Sequence, residues 1–189
     1  LMTDALTFLK TRRSRPAKIL TAPVPDENAL KELLTIAARS PDHGKLEPWR
    51  FIVLERAALL RLAMLARSLA ERAGPDIVDA DKASRQYENG TLAVAVVESP
   101  KECDKFPEVE QTYSAGAVCL SLLNGALAAG WGANWLSGWA SHQQQFCSEG
   151  LSLKPHERIA GIIHIGTGPS NMPDRPRPDV SALTDWIKS

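Results

Sequence analysis

The stretch RSPDHGKLEPWRF, residues 39–51, marks a change from helix to strand in this chain. Apolar residues recur at helical spacing before it, namely Leu30, Leu33, Leu34, Ala37 and Ala38. A proline disfavours helical backbone at the residue before it, so Pro41 predicts that this helix ends close to Arg39. From Trp49 to Leu54, alternating residues with aromatic and branched side chains favour a strand. The stretch therefore predicts a fold that combines helices with a sheet.

Outward from this stretch, apolar runs and capping residues predict the other elements. Further strands are predicted at Leu92–Val97, around Asn134-Trp135 and at Ile159–Ile165. Helices are predicted from a Thr3 cap to about Arg13, from an Asp26 cap to Arg39, at Ala57–Arg72, Ile77–Tyr87 and Glu110–Ala129, and from a Ser141 cap to Cys147. Three or four strands among five or more helices indicate an α+β sandwich. The strands are too few for a barrel, and no Gly-x-Gly-x-x-Gly follows the first strand, which argues against a Rossmann domain.

Length, charge and cysteine content narrow the class of protein. The 189 residues suit a single domain, 1–189, with an extended, proline-rich tail from about 169 to 189. Such a tail is expected either to be disordered or to lie against a surface such as a partner subunit. A net charge of zero gives no reason to expect a nucleic-acid partner, and no apolar run is long enough to span a bilayer. Three cysteines without a Cys-x-x-Cys pair suit a reducing compartment, with the cytoplasm as the expected location.

Several kinds of chemistry lack their usual sequence pattern. The four histidines, His43, His142, His156 and His164, include no pair at the i, i+4 spacing of a helical metal site, so no metal is expected. No Gly-x-Ser-x-Gly elbow occurs. Gly166-Thr167-Gly168 lacks the lysine of a phosphate-binding loop, and a plain turn is the favoured interpretation.

What remains is a set of groups suited to a phosphate and a flat polar ring. Arg12-Arg13-Ser14 offers two guanidinium forks and a hydroxyl, and arginine binds phosphate through paired charge-assisted hydrogen bonds. Arg39 and His43 flank a proline turn, and Trp135-Leu136-Ser137 offers an apolar wall and a hydroxyl. Each group alone also has an ordinary interpretation: charges at a helix end, a core tryptophan, or a turn. Together they favour a site for a phosphorylated cofactor.

These segments, in this order, resemble the nitroreductase family of FMN-dependent oxidoreductases, and in particular its short members. The small-residue helix that ends Ala128-Ala129-Gly130 and the final Gly166-Thr167-Gly168-Pro169 segment extend the resemblance over nearly the whole chain. The resemblance implies a mainly antiparallel central sheet flanked by helices. It also implies a domain-entwined homodimer with two FMN sites at the subunit interface.

The resemblance also assigns residues to the cofactor. It implies that Arg12, Arg13 and Ser14 hold the phosphate and ribityl end, that Arg39 and His43 line the flavin pocket, and that Trp135, Leu136 and Ser137 contact the flavin. Residues Gly125 to Gly130 would lie near the nicotinamide nucleotide, and Arg175 and Arg177 are tail candidates for the phosphate. One departure is Glu47, where relatives commonly have Gln, because a carboxylate donates no hydrogen bond unless it is protonated.

The implied activity is ping-pong hydride transfer from NADH or NADPH through FMN to a small electron-poor acceptor, a nitro compound or a quinone-like molecule. The flavin carries the redox chemistry, so no residue is assigned as catalytic. Three alternatives stay open from the sequence: other flavin chemistry on the same scaffold, a flavin-binding protein without catalysis, and arginines that only cap helices.

Overall fold

The computed structural model describes residues 4–188, which form five α-helices around one four-stranded sheet. The helices are α1 (Ala5–Thr11), α2 (Glu27–Ala37), α3 (Arg56–Ala73), α4 (Ala80–Asn89) and α5 (Glu108–Ala128). The strands are β1 (Trp49–Glu55), β2 (Leu92–Glu98), β3 (Gly132–Leu136) and β4 (Arg158–Gly166). Shorter turns of helix lie at Ala17–Ile19, His43–Lys45, Trp139–His142, Phe146–Gly150 and Ser181–Leu183.

The sheet has the order β1-β2-β4-β3, and every neighbouring pair is antiparallel. All seven residues of β2 are buried, which places this strand at the centre of the molecule. Its side chains alternate between two faces, because successive residues of a strand point in opposite directions. The α+β prediction with a mainly antiparallel sheet is confirmed.

Each face of the sheet packs on its own hydrophobic core. Ala93, Ala95 and Val97 of β2 face a core shared with α3 and α4. Leu92, Val94 and Val96 face the opposite core, which α2 and α5 complete. Each large aliphatic side chain buried in this way contributes about 1.5–3 kcal/mol to folding. The two layers of helices hold the sheet from both sides.

Three element boundaries differ from the sequence prediction. Thr3 lies outside the described residues, and within them Asp4 caps α1 by accepting a hydrogen bond from Thr7 N–H at 3.3 Å. Helix α4 begins at Ala80, because the Asp79 carboxylate accepts from Lys82 N–H and fixes the first turn there. Ser141 lies inside a short helical turn and caps nothing, because its hydroxyl donates to the carbonyl of Ser137.

Two parts of the chain expose apolar surface. Helix α1 buries none of its residues, and Leu6 and Leu9 are exposed. A helix of seven residues is marginal in water without packing. Past Pro169 the described chain has little regular secondary structure, and four large apolar side chains near its end are exposed: Val180, Leu183, Trp186 and Ile187.

Candidate functional site

The segment from Arg12 to Arg15 lies beside strand β3. It follows the end of α1, and Arg15 N–H donates to the carbonyl of Ala133 at 2.8 Å. β3 is an edge strand, so its free backbone groups are available for this contact. Ala133 is two residues before Trp135 on β3, so this contact places the predicted arginine segment along the same sheet edge as Trp135.

Guanidinium groups from the segment and from the tail gather around Ser14. Arg12 Nη2 donates to Ser14 Oγ at 2.9 Å, and Arg13 Nε donates to the carbonyl of Pro173 at 3.2 Å. Arg177 Nη2 donates to the carbonyl of Arg12 at 3.3 Å. Burial, together with the charges of Arg177 and Arg13, lowers the pKa of Arg12. The cluster therefore carries excess positive charge that an anion would relieve.

The donor set of this cluster fits a phosphate. Within residues 4–188, Asp174 is the one carboxylate that bonds to it, through Arg177 Nη2 at 2.6 Å. The buried Nε of Arg12 has no hydrogen-bond partner in the same part of the chain. An unpartnered buried donor is costly, and an oxyanion bound next to it supplies the missing acceptor.

Arg15 is a member of this cluster that the sequence prediction left out. Its Nε donates to the carbonyl of Pro169 at 2.7 Å, and its Nη2 donates to the carbonyl of Ser170 at 3.0 Å. The sequence feature that could have indicated Arg15 is that it is a third cationic residue in this segment, directly before Pro16. Of the two tail arginines, Arg177 reaches the cluster. The side chain of Arg175 makes no hydrogen bond within the described residues, although its N–H bonds to Asp174.

The second predicted segment, Arg39 to His43, lies against the start of α5. His43 Nδ1 is 2.5 Å from Glu110 Oε2, and the His43 ring packs on Phe106 with 3.6 Å between ring centroids. Ser114 Oγ donates to the carbonyl of Pro41 at 2.9 Å. These contacts fix the loop that carries His43. Glu110 and Phe106 are neighbours that no sequence motif indicated.

Glu47 lines an open groove next to this loop, and Arg39 is not among the residues that line it. Arg39 is exposed, and its side chain has no hydrogen bond or ion pair among residues 4–188. Glu47 has a positive φ of 50°, and its N–H donates to Asp42 Oδ2 at 2.6 Å. The groove has a volume of about 540 Å³, and Glu47 lines it together with Trp49 and Arg50.

The third predicted segment ends strand β3. Trp135 is partly exposed, and its indole lies across Gly161 of β4, where a Cβ would come within 2.7 Å of Trp135 Cδ1. Leu136 pairs with Ile162 of β4, and Ser137 follows in an exposed turn. Gly130 follows the long helix α5 and has a φ of 90°, a conformation that glycine adopts readily at the end of a helix.

Two of the three segments lie together and the third lies apart. The arginine segment and the Trp135–Ser137 segment share strand β3. No hydrogen bond or ion pair within residues 4–188 joins either of them to Arg39 or His43. The loop that carries Arg39 and His43 leads into β1, the opposite edge strand of the sheet from β3, so the predicted site residues form two separate groups.

Comparison with known proteins identifies the class. The model of the nitroreductase family matches residues 9–167. The chain belongs to the nitroreductase family, whose members are oxidoreductase enzymes.

The chain is 33% identical over 164 residues to "Putative NAD(P)H nitroreductase YdjA" of Escherichia coli K12, covering 87% of this chain and 88% of that protein. A crystal structure of a nitroreductase-like family protein from Bacillus cereus superposes with a TM-score of 0.79 at 22% identity, over 100% of this chain and 98% of that one. The structure of a putative nitroreductase from Desulfovibrio desulfuricans, in complex with FMN, superposes with a TM-score of 0.75 at 20% identity, over 100% of both chains. These two structures share the fold of this chain.

Residues 4–188 include no membrane-spanning helix and no metal-binding cluster of side chains. None of the helices there combines the length and apolar character needed to cross a membrane. In the same range, no group of three or more His, Cys, Asp or Glu side chains is arranged to hold a metal ion.

Proposed function

We propose that this protein is an FMN-dependent oxidoreductase that takes a hydride from NADH or NADPH and passes the reducing equivalents to a small electron-poor acceptor. The observation that carries the proposal is the cationic cluster of Arg12, Arg13, Arg15 and Arg177 around Ser14. Its excess charge and its unpartnered Arg12 Nε suit the phosphate of FMN. The relative named as an NAD(P)H nitroreductase and the fold neighbour solved with FMN support the same choice.

When bound, FMN supplies the redox chemistry, and the protein's residues hold it. The arginine cluster takes the phosphate end, with Ser14 Oγ next to it. Trp135 and Leu136, which follow on the same edge strand, offer the apolar surface for a ring. Arg39 supplies positive charge that favours negative charge on the cofactor, and His43 offers a hydrogen-bonding ring. The donor and the acceptor use the same pocket in turn, which is a ping-pong order.

We further propose that the working form is a homodimer with FMN at the interface. The divided site supports this, because a second copy can bring its Arg39 and His43 to the first copy's arginine cluster. Exposed apolar residues also support it: Leu6 and Leu9 on α1, and Val109, Tyr113 and Leu120 along one side of α5. A continuous apolar stripe on a long helix is typical of a buried contact. The tail, with Trp186 exposed, is proposed to lie on the partner as well.

Residues 1–189 are proposed to act as one domain, in the cytoplasm. The cytoplasmic proposal is supported by the three cysteines, which are all free thiols. The physiological acceptor is proposed by class alone, as a nitro compound or a quinone-like molecule.

The first experiment measures flavin binding and reduction. The purified protein is supplied with FMN or riboflavin, desalted, and titrated anaerobically with NADH and NADPH while the flavin absorbance is recorded. We expect retained FMN, weaker retention of riboflavin because it lacks the phosphate, and bleaching by at least one nucleotide. Retained FMN that neither nucleotide bleaches would indicate a flavin-binding protein without this activity. A folded protein that retains no flavin would contradict the proposal. The arginines would then be interpreted as charges that cap helix ends.

A further inference from the structure

The carbonyl of Ser137 is held by two donors from two different elements. Gln86 Nε2, on α4, donates to it at 2.6 Å, and Ser141 Oγ donates to it at 2.7 Å. A carbonyl oxygen has two lone pairs, so both of its acceptor positions are filled. The orientation of this peptide group is therefore fixed by the protein itself.

A buried histidine fixes the amide of Gln86 in turn. His164 of β4 is 1% exposed, and its Nε2 is 3.3 Å from Gln86 Oε1. Gln86 Nε2 already donates to Ser137, so Oε1 accepts and His164 carries its proton on Nε2. Burial lowers the pKa of His164 to about 4, so the ring is neutral at neutral pH. A flipped amide would set its oxygen against the carbonyl oxygen of Ser137.

The same peptide group presents a donor on its opposite side, the N–H of Gly138. The C=O and N–H of a trans peptide point in opposite directions, so the N–H of Gly138 points away from Gln86. No acceptor for this N–H is found between residues 4 and 188. Gly138 has a φ of 80°, and a Cβ at this position would lie 2.7 Å from Gln86 Nε2, so the turn packs directly on the amide. Both Ser137 and Gly138 are exposed at the end of β3.

We propose that Gln86 is a positioning residue of the cofactor site, with His164 as the hydrogen-bond partner of its amide oxygen. It holds the Ser137-Gly138 turn so that the Gly138 N–H is a preset donor towards the ring of a bound cofactor. This inference rests on the proposed function, since it assigns a role at the proposed FMN site. A donor fixed in advance binds more tightly than one that must be ordered on binding, because its conformational entropy has already been lost.

The test compares two substitutions at Gln86 with a matched control. Gln86→Met removes both hydrogen bonds at similar size, and Gln86→Glu keeps an acceptor for His164 but loses the donor to Ser137. Gln145→Met is the control, because Gln145 is an exposed amide bonded to Glu149 alone within the described residues. For each apoprotein we would measure the FMN Kd by fluorescence quenching and the thermal unfolding temperature. The visible circular dichroism would be recorded at saturating FMN.

We expect both Gln86 variants to raise the FMN Kd about tenfold, the effect of losing one oriented hydrogen bond, and to alter the visible circular dichroism of bound FMN. The Gln145→Met control leaves both readouts unchanged. A Gln86 variant that unfolds at a lower temperature, but binds FMN within about twofold of wild type with an unaltered spectrum, overturns the positioning role alone. If Gln86→Met fails to fold, Gln86→Glu decides by the same readouts. A wild-type protein that binds no FMN overturns the proposed function and this inference together.

Discussion

We expect Glu157→Gln to lower the free energy of unfolding at neutral pH and to make it less sensitive to acid. The Glu157 side chain is 2% exposed, and Arg50 donates to both of its oxygens at 2.8 Å. Lys154 N–H donates to the same carboxylate at 2.9 Å. These hydrogen bonds, that of Arg50 above all, outweigh the opposing effect of burial and lower the pKa of Glu157 from 4.5 to about 2. The pair ties the start of β1 to the turn before β4.

The sign and size of the effect follow from this pKa. A carboxylate whose pKa is lower in the folded state stabilises the fold above its unfolded pKa and loses that contribution as the pH falls through its folded pKa. At 1.36 kcal/mol per pKa unit, the shift corresponds to about 3 kcal/mol at neutral pH, of which about 2 kcal/mol is lost between pH 7 and pH 3. The Arg50 side chain is 39% exposed, so solvent screening reduces the expected loss to about 1–2 kcal/mol.

The assay is urea unfolding of wild type and Glu157→Gln at several pH values from 7 to 3. The difference in their free energies of unfolding should shrink by about 1–2 kcal/mol over this range. Taking a difference cancels other groups that titrate in both proteins, including His164. Glu27→Gln is the matched control, because Glu27 makes an exposed pair with Lys31 and should show little pH-dependent difference. A Glu157→Gln difference that is constant with pH would refute the reasoning.

Three further predictions concern the proposed site. Arg15→Met should raise the Kd for FMN about tenfold or more but leave that for riboflavin unchanged, with Arg72→Met on α3 as a control; equal losses for both ligands would contradict a phosphate contact. Gly161→Ala should push Trp135 from its place on the sheet and weaken FMN binding in a fluorescence titration, and an unchanged Kd would mean that the indole does not contact the cofactor. Tyr113→Glu should convert the proposed dimer to monomers in sedimentation experiments, because each interface would bury two added charges. An unchanged sedimentation coefficient would show that this side of α5 lies outside the interface.

Much of the fold could be predicted from local patterns. The β2 run is apolar throughout, and Asp26 accepts from Ala29 N–H at the start of α2 at 2.9 Å, as predicted. Pro41 ends the same helix, although the last helical residue is Ala37. The capping residue of α1 was harder to predict, because Thr3 and Asp4 are both good capping residues. The prediction that Ser141 caps a helix was wrong, because its hydroxyl donates to a carbonyl in the preceding turn. The local sequence does not reveal this contact.

The candidate site shows where sequence reasoning ends. Arg12, Arg13 and Trp135 stand out as residue types, but their nearness depends on the contact between Arg15 and Ala133, which is distant in sequence. Gln86 and Glu110 are single polar residues on helices, where most such residues are solvated. Their roles depend on which loop the fold brings against them.

The base of the tail is held through main-chain acceptors. Arg13 and Arg15 donate to the carbonyls of Pro173, Pro169 and Ser170, and no tail side chain takes part in those hydrogen bonds. Every residue type has a carbonyl, so residues 169–173 can change over evolution without loss of these hydrogen bonds. A change at Arg13 or Arg15 removes the hydrogen bonds that this arginine donates to the tail. The tail can therefore vary widely among relatives while following the same path, which makes it hard to align by sequence and suitable for redesign.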